Sequence, residues 1–227
     1  MMGTKQFDNY ADLITFTRAS GATYLDSDGV LKTASTNIPR IEYDADGNRL
    51  GLLVEEQRTN IQVYSEEFDN AAWAKANSSI DSNVIVAPDG NTTADKLVES
   101  AATAARYVYK VGGIAVPAGD YCGSVYAKAA ERSRLVVALY SGSNYELVQF
   151  DLSAGTIVQE ATAGIATITS VGNGWYRCSV KRTLGSVTTY LSIGPYINAN
   201  IGTLTGGFPS YTGDGTSGVY IWGAQLE

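Results

Sequence analysis

The sequence predicts an all-β fold: an antiparallel β-sandwich of jelly-roll type, preceded by a small N-terminal β-hairpin region. Three observations carry this reading. The 227 residues hold 24 Gly and 15 Tyr, with much Thr, Ser and Val, a composition suited to pleated surfaces. Apolar or alternating runs of strand length recur along the chain. Turn chemistry closes each run at a spacing that favours a sandwich over βαβ units.

The first sixty residues read as successive short hairpins. ITFTRAS, ATYLD, GVLKTAS, PRIEYD and RLGLLVEEQ are joined by Ser20-Gly21, Asp26-Ser27-Asp28-Gly29 and Asp44-Ala45-Asp46-Gly47. They offer too little apolar surface for an independent core. Residues 1–62 are therefore expected to form an attachment or oligomerisation region, packed on the sandwich or on neighbouring subunits, and residues 63–227 the sandwich itself. In SEEFDNAAWAK (65–75), Asp69 or Ser65 is placed to cap one helical turn that carries Trp73 onto the core.

The later runs are longer. ARYVYKV (105–111) ends in Gly112-Gly113, and YCGSVYAKA (121–129) follows Pro117-Ala118-Gly119-Asp120. RLVVALYS (134–141) and YELVQFDL (145–152) flank a Gly-Ser-Asn turn. ATITSV (166–171) and WYRCSVKRT (175–183) flank Gly172-Asn173-Gly174, a hairpin signal because Asn and Gly tolerate positive φ. TTYLSIGPYI (188–197) and GVYIWGAQLE (218–227) complete the series. Alternation puts Ile168, Tyr176, Cys178 and Val180 inward and Trp175, Arg177 and Ser179 outward. TADKLVES (93–100) does not declare its inner face.

Charge and composition narrow the function. A net charge of −7 with no basic run lacks the footprint of a nucleic-acid binder and disfavours anionic membranes. The apolar runs are too short for membrane insertion, and MMGTKQFDNY has no charged start leading into an apolar stretch, so no secretory signal is expected. Cys122 and Cys178 are too few for a disulfide framework and read as unpaired buried thiols. The chain has no His, which excludes Ser-His-Asp and Cys-His catalysis and His-containing zinc and iron sites. No cofactor is expected.

LGLLVEEQRTN (50–60) is the most charged junction. On a strand, Glu55 and Glu56 leave opposite faces and cannot flank one scissile bond. An EF-hand count from Asp44 places Asp46, Asn48 and Glu55 suitably, but Arg49 stands where the loop needs Gly. Glu55, Glu56, Arg58 and Asn60 are read as a structural junction to the sandwich, with Arg58 a fork for a carboxylate or carbonyls. Neither a catalytic nor a metal site is assigned. YTGDGTSG (211–218) precedes a strand, not a helix, and reads as a tight loop rather than a phosphate cradle. Tyrosine combines a flat apolar face with a polar tip, so Tyr140, Tyr145, Tyr196 and Tyr211 are the candidate carbohydrate-stacking residues, weighed against a role as core-edge caps.

The stretches FTRASGATYLDSDGVLKTA, PRIEYDADGNRLGLLVEEQRTN, YSEEFDNAAWAK, APDGNTTADKLVE, VYAKA, GNGWYRCSV and YTGDGTSGVYIWGAQLE occur in this order over most of the chain. Together they resemble a bacteriophage family of head-spike and tail-fibre proteins, whose latter part is similar to a carbohydrate-binding-module jelly roll. The resemblance implies a non-enzymatic virion structural protein: a capsid spike, head fibre or decoration subunit. It would be assembled in the bacterial host cytoplasm and displayed on the virion surface. Its partners would be other capsid or tail proteins and further copies of itself, a trimer by analogy with phage fibres. The alternative is a tail-fibre receptor-binding module that attaches to a host-surface glycan, and a remoter one is a polysaccharide-degrading enzyme. Related modules often hold a structural calcium ion with acids near the last strand. Here Gly223 and Ala224 replace them, which leaves Glu66 or Asp69 with Glu227 as a weaker set.

Overall fold

The computed structural model describes residues 15–44, 46–197, 201–202, 204 and 207–227. Expectations that fall on MMGTKQFDNY, Ile14, Ala45 or the undescribed part of the loop 198–210 lie outside these residues. Every helix or strand among the described residues is a strand. The chain divides into two compact units that part between Glu56 and Gln57.

In the first unit, β1 (Ala22–Leu25) pairs with β2 (Leu31–Ala34) and β3 (Ile41–Tyr43) with β4 (Arg49–Leu52), both antiparallel. The Asp-Gly turns form as their chemistry dictates. Asp26 Oδ1 accepts from the N–H of Asp28 at 3.0 Å and of Val30 at 2.9 Å, and Gly29 takes φ 71°. Asp44 Oδ1 likewise accepts from Asp46 and Asn48, so the apparent calcium loop is a hairpin turn. The described part of ITFTRAS is not a strand. Its Arg18 instead donates to the carbonyls of Ser20, Ala34 and Ser35. Leu25 and Ala34 are buried, whereas Ile38, Leu50, Leu52 and Val54 are exposed.

The second unit is a sandwich of two six-stranded sheets. One runs in the order β15 (Ala166–Ser170), β16 (Trp175–Leu184), β11 (Gly119–Ala129), β20 (Gly218–Leu226), β7 (Ala94–Glu99), β6 (Ser78–Ile85). The other runs β14 (Thr156–Glu160), β13 (Tyr145–Asp151), β12 (Arg134–Tyr140), β18 (Leu191–Tyr196), β9 (Tyr107–Lys110), β5 (Trp73–Ala76). Two short pairs complete it: β10 (Ile114–Val116) with β17 (Val187–Thr189), and β8 (Thr103–Ala104) with β19 (Tyr211–Thr212). All pairings are antiparallel, and the chain crosses repeatedly from one sheet to the other. The main core joins Leu97, Val125, Ala127, Cys178, Val180, Val219 and Ile221 of the first sheet to Val108, Leu135, Val137, Leu139, Phe150 and Ile193 of the second.

The hairpin at Gly172–Gly174 forms, with Val171 N–H on Trp175 O at 3.0 Å and Asn173 at φ 53°. Cys178 and Val180 enter the core, with Ile168 and Tyr176 packed on it. Trp175, expected on the outer face, is nonetheless 2% exposed. Its indole N–H donates to Val86 O at 3.2 Å, so the segment after β6 supplies a cover that alternation could not reveal. On β7, Leu97 belongs to the core, and Asp95 and Glu99 share its side of the strand.

The expected helical turn near residue 68 is a run of turns without a helix. Asn70 Oδ1 accepts from Ala72 N–H and Asn70 O from Trp73 N–H. Trp73 does reach the core, as the first residue of β5. The sandwich also begins earlier than residue 63. Ile61 N–H donates to Leu226 O at 2.8 Å, while Asn60 Oδ1 accepts from Leu226 N–H at 2.9 Å and its Nδ2 donates to Ala224 O at 3.2 Å.

Candidate functional site

The outer face of the second sheet carries an aromatic patch. Tyr140 ends β12 and Tyr145 begins β13, directly opposite each other in the register, which puts their rings 4.8 Å apart. Tyr107 and Tyr109 leave the same side of β9, and Tyr190 precedes β18. Ring contacts then run from Tyr145 to Phe208 (6.2 Å), Phe208 to Tyr107 (4.6 Å), Tyr107 to Tyr109 (5.5 Å), Tyr109 to Tyr190 (5.7 Å) and Tyr190 back to Tyr140 (5.6 Å). The six rings close a circuit, and each is half-buried. The Tyr140 and Tyr145 hydroxyls, with those of Tyr107, Tyr109 and Tyr190, make no hydrogen bond among the described residues. Burial raises Tyr145, as do the four neighbouring tyrosines, and burial followed by Tyr109 raises Tyr107. Both therefore stay neutral near pH 7, and a phenol hydroxyl serves as donor and acceptor.

Tyr196 and Tyr211 do not join this patch as stacking surfaces. They are 5% and 6% exposed and sit in a satellite core with Val136, Ala138, Leu147 and Ile201, against which Leu204 and Phe208 pack. Tyr211 is structural: its hydroxyl donates to Glu99 Oε2 at 2.7 Å, and its ring lies 4.1 Å from the Arg106 guanidinium carbon. Arg106 in turn donates to the carbonyls of Ser100, Ala102, Ala104 and Tyr211. Of the four tyrosines singled out in the sequence, Tyr140 and Tyr145 meet in the patch, and Tyr196 and Tyr211 meet edge to face at 5.4 Å in the satellite core. Tyr107, Tyr109 and Tyr190 were missed, although their spacing in YVYK and TTYL placed them beside strands.

The junction residues also separate. β4 ends at Leu52, and Glu55 and Glu56 lie on chain without strand pairing. Glu55 ties down its own unit, accepting from buried Arg40 at 2.8 Å. Asn60 caps the last strand as described above. Arg58 lines a cleft of about 710 Å³ with Asp120, Tyr121, Cys122, Glu146, Thr162, Ile165, Arg177, Lys181, Arg182, Thr183 and Glu227. Cys122 is thus a half-buried cleft residue and not a core thiol, whereas Cys178 is fully buried; neither is paired.

Among the described residues, Glu42, Glu66 and Asp95 are the acids whose pKa rises on balance, burial being the largest cause in each, and none lines the cleft. No group of three or more Cys, Asp or Glu among the described residues is placed to hold a metal ion. Glu227 pairs with Arg177. Glu66 instead feels burial and Asp89. Near Asp69 the cation is internal: the Lys75 ammonium donates to the carbonyls of Asp69 at 2.9 Å and Asn70 at 2.7 Å. No helix among the described residues is long and apolar enough to cross a membrane. In comparisons with known proteins, no family model and no curated protein matches the chain.

Proposed function

We propose that this chain is a non-enzymatic surface protein of a bacteriophage virion, a capsid spike, head fibre or decoration subunit. In this reading the hairpin unit contacts another virion protein or a neighbouring copy, and the sandwich faces outward. The observation that carries it is the contrast between the two units. The sandwich encloses a continuous core, whereas Leu50, Leu52 and Val54, which alternate along one stretch of the hairpin unit, stay exposed at 66%, 41% and 77%. Apolar groups so arranged mark a surface that a partner covers. The test is incorporation: virions produced with a chain lacking residues 1–56 should carry none of it. Full occupancy by the truncated chain would remove the assignment.

The tyrosine circuit favours a second reading, attachment to a host-surface glycan. Flat apolar rings edged by hydroxyls that make no hydrogen bond among the described residues match the C–H faces and hydroxyl edges of a saccharide. A glycan array probed with the purified chain should give signals that Tyr145→Ala abolishes, and many copies on a particle would raise weak affinity through avidity. No signal from a multivalent display would leave the structural role alone.

A further inference from the structure

The cleft lined by Arg58 brings four cations together in a chain whose net charge is −7. Arg58, Arg177, Lys181 and Arg182 line it. Two of them are fixed by the fold. Arg182 donates to Leu139 O at 2.5 Å and to Asn144 Oδ1 at 2.7 Å, with Glu146 at 3.7 Å, so it braces the end of the β12–β13 hairpin. Arg177 uses Nε and Nη2 on Ser124 Oγ and Gln225 Oε1 and approaches Glu227 at 3.8 Å. Its Nη1 has no partner among the described residues. Lys181 is exposed, its backbone N–H donates to Ile165 O at 2.8 Å, and its ammonium makes no hydrogen bond or ion pair among the described residues.

The cleft's carboxylates are engaged in other ways. Asp120 accepts from Thr183 Oγ1 at 2.6 Å, Glu146 faces Arg182, and Glu227 faces Arg177. That leaves Lys181 and the outer edge of the Arg177 fork as charge available to a ligand. The rim adds the Thr162 hydroxyl and the backbone of Gly164, and Ile165 and Tyr121 give an apolar wall. A volume of about 710 Å³ holds two or three sugar rings in size class.

We propose that this cleft binds an oxyanion, a carboxylate or a phosphate, carried on a polyhydroxylated ligand. The guanidinium of Arg177 and the ammonium of Lys181 take the charge, and the threonines and Asp120 take neighbouring hydroxyls. The site is separate from the tyrosine circuit and does not rest on it.

The chain supplies its own reporter. Cys122 lies in the cleft, and its neighbours include Arg177, Lys181, Arg58 and Glu227. Cys178, the other thiol of the chain, is fully buried, so iodoacetamide labelling of the folded protein reads Cys122. The full chain is titrated with inorganic phosphate, with trigalacturonate and with a neutral galactose trimer, following labelling rate and heat of binding. Phosphate or trigalacturonate should bind and slow labelling, the neutral trimer should not, and the anion that binds more tightly identifies the source. Lys181→Gln, a surface change that frees no partner, should weaken the anion about tenfold, as should Arg177→Gln. Tyr145→Ala should leave binding unchanged. The proposal fails if neither anion binds, if the neutral trimer binds as well, if both cleft variants keep wild-type affinity, or if Tyr145→Ala abolishes binding.

Discussion

Two carboxylates on one side of β7 show how neighbours decide the state of a buried acid. Glu99 is 1% exposed, and burial alone would raise its pKa. Arg132 Nη2 at 2.5 Å, the Tyr211 hydroxyl at 2.7 Å and Asp214 N–H at 2.9 Å pull it below the usual value instead. Asp95, also 1% exposed, accepts from the N–H groups of Phe68 and Asn83, but burial outweighs these bonds and its pKa rises. The signs of the two linkages are opposite. Glu99 contributes stability above its unfolded value of about 4.5 that is lost as pH falls through its folded value. Asp95 carries a charge penalty at neutral pH that is relieved as pH falls through its raised value. Glu99→Gln should therefore cost about 3 kcal/mol in urea unfolding at pH 7, because it strips Arg132 of its buried partner, and less at pH 3, below the unfolded value of the carboxyl. Asp95→Asn should cost about 1 kcal/mol at pH 7, because one acceptor oxygen survives and the charge penalty disappears. Equal losses for Glu99→Gln at both pH values would show that its effect is one of shape and not of charge.

Strands differed in how plainly the sequence announced them, and their place in the sheet explains why. The central strands β11, β12, β16, β18 and β20 are long and apolar on at least one face, and all were read. Of the four edge strands of the large sheets, β5, β6 and β14 are not legible, whereas β15 is announced by the Gly172–Gly174 hairpin that joins it to β16. Edges are paired on one side only and carry polar side chains that blunt further pairing, so SSIDSNVI lacks clean alternation. β6 is also broken by a bulge between Asp81 and Ile85, at which Asn83 takes φ 57° and gives its N–H to Asp95. The same limit applies to the tyrosines. Period-two alternation assigns a face, but it does not say which face a loop will cover, and so Tyr196 and Tyr211 looked as available as Tyr140 and Tyr145. Close approach between elements is just as hidden. A Cβ on Gly194 of β18 would collide with the backbone carbonyl of Arg106, whereas one on Gly123 of β11 would meet side-chain ends of Leu139 at 2.8 Å and Leu191 at 2.9 Å. Backbone cannot yield as a leucine can. Gly194→Ala should cost about 3 kcal/mol and Gly123→Ala about 1 kcal/mol, measured by thermal unfolding; the reverse order would mean that the segment around Arg106 gives way more easily than the core.

A chain that divides after Glu56 raises the question of which unit can stand without the other. The sandwich answers it with a core closed from both sheets: Leu97, Val125, Cys178, Val180 and Ile221 against Val108, Val137, Leu139, Phe150 and Ile193, all with no exposure. The last strand is held at its end by Asn60 and Ile61, which is why a cut must fall before Gln57 and not at residue 62. Among the described residues the hairpin unit holds two two-stranded sheets, and an isolated two-stranded ribbon is marginal in water. Its Arg18 and Arg40 are spent on carbonyls and on Glu55, contacts that fix shape but bury little apolar surface. Calorimetry on the fragment 57–227 should give one cooperative transition close to that of the full chain, and the fragment 1–56 should give none. If the short fragment melted cooperatively by itself, the exposed Leu50, Leu52 and Val54 would not be needed as a contact surface, and the attachment role proposed for that unit would lose its physical basis. If 57–227 failed to fold, the sandwich would depend on the hairpins for more than display. The removal of residues 1–56 would then test folding and not particle assembly. Measuring the fragments first therefore decides how the virion experiment is to be read.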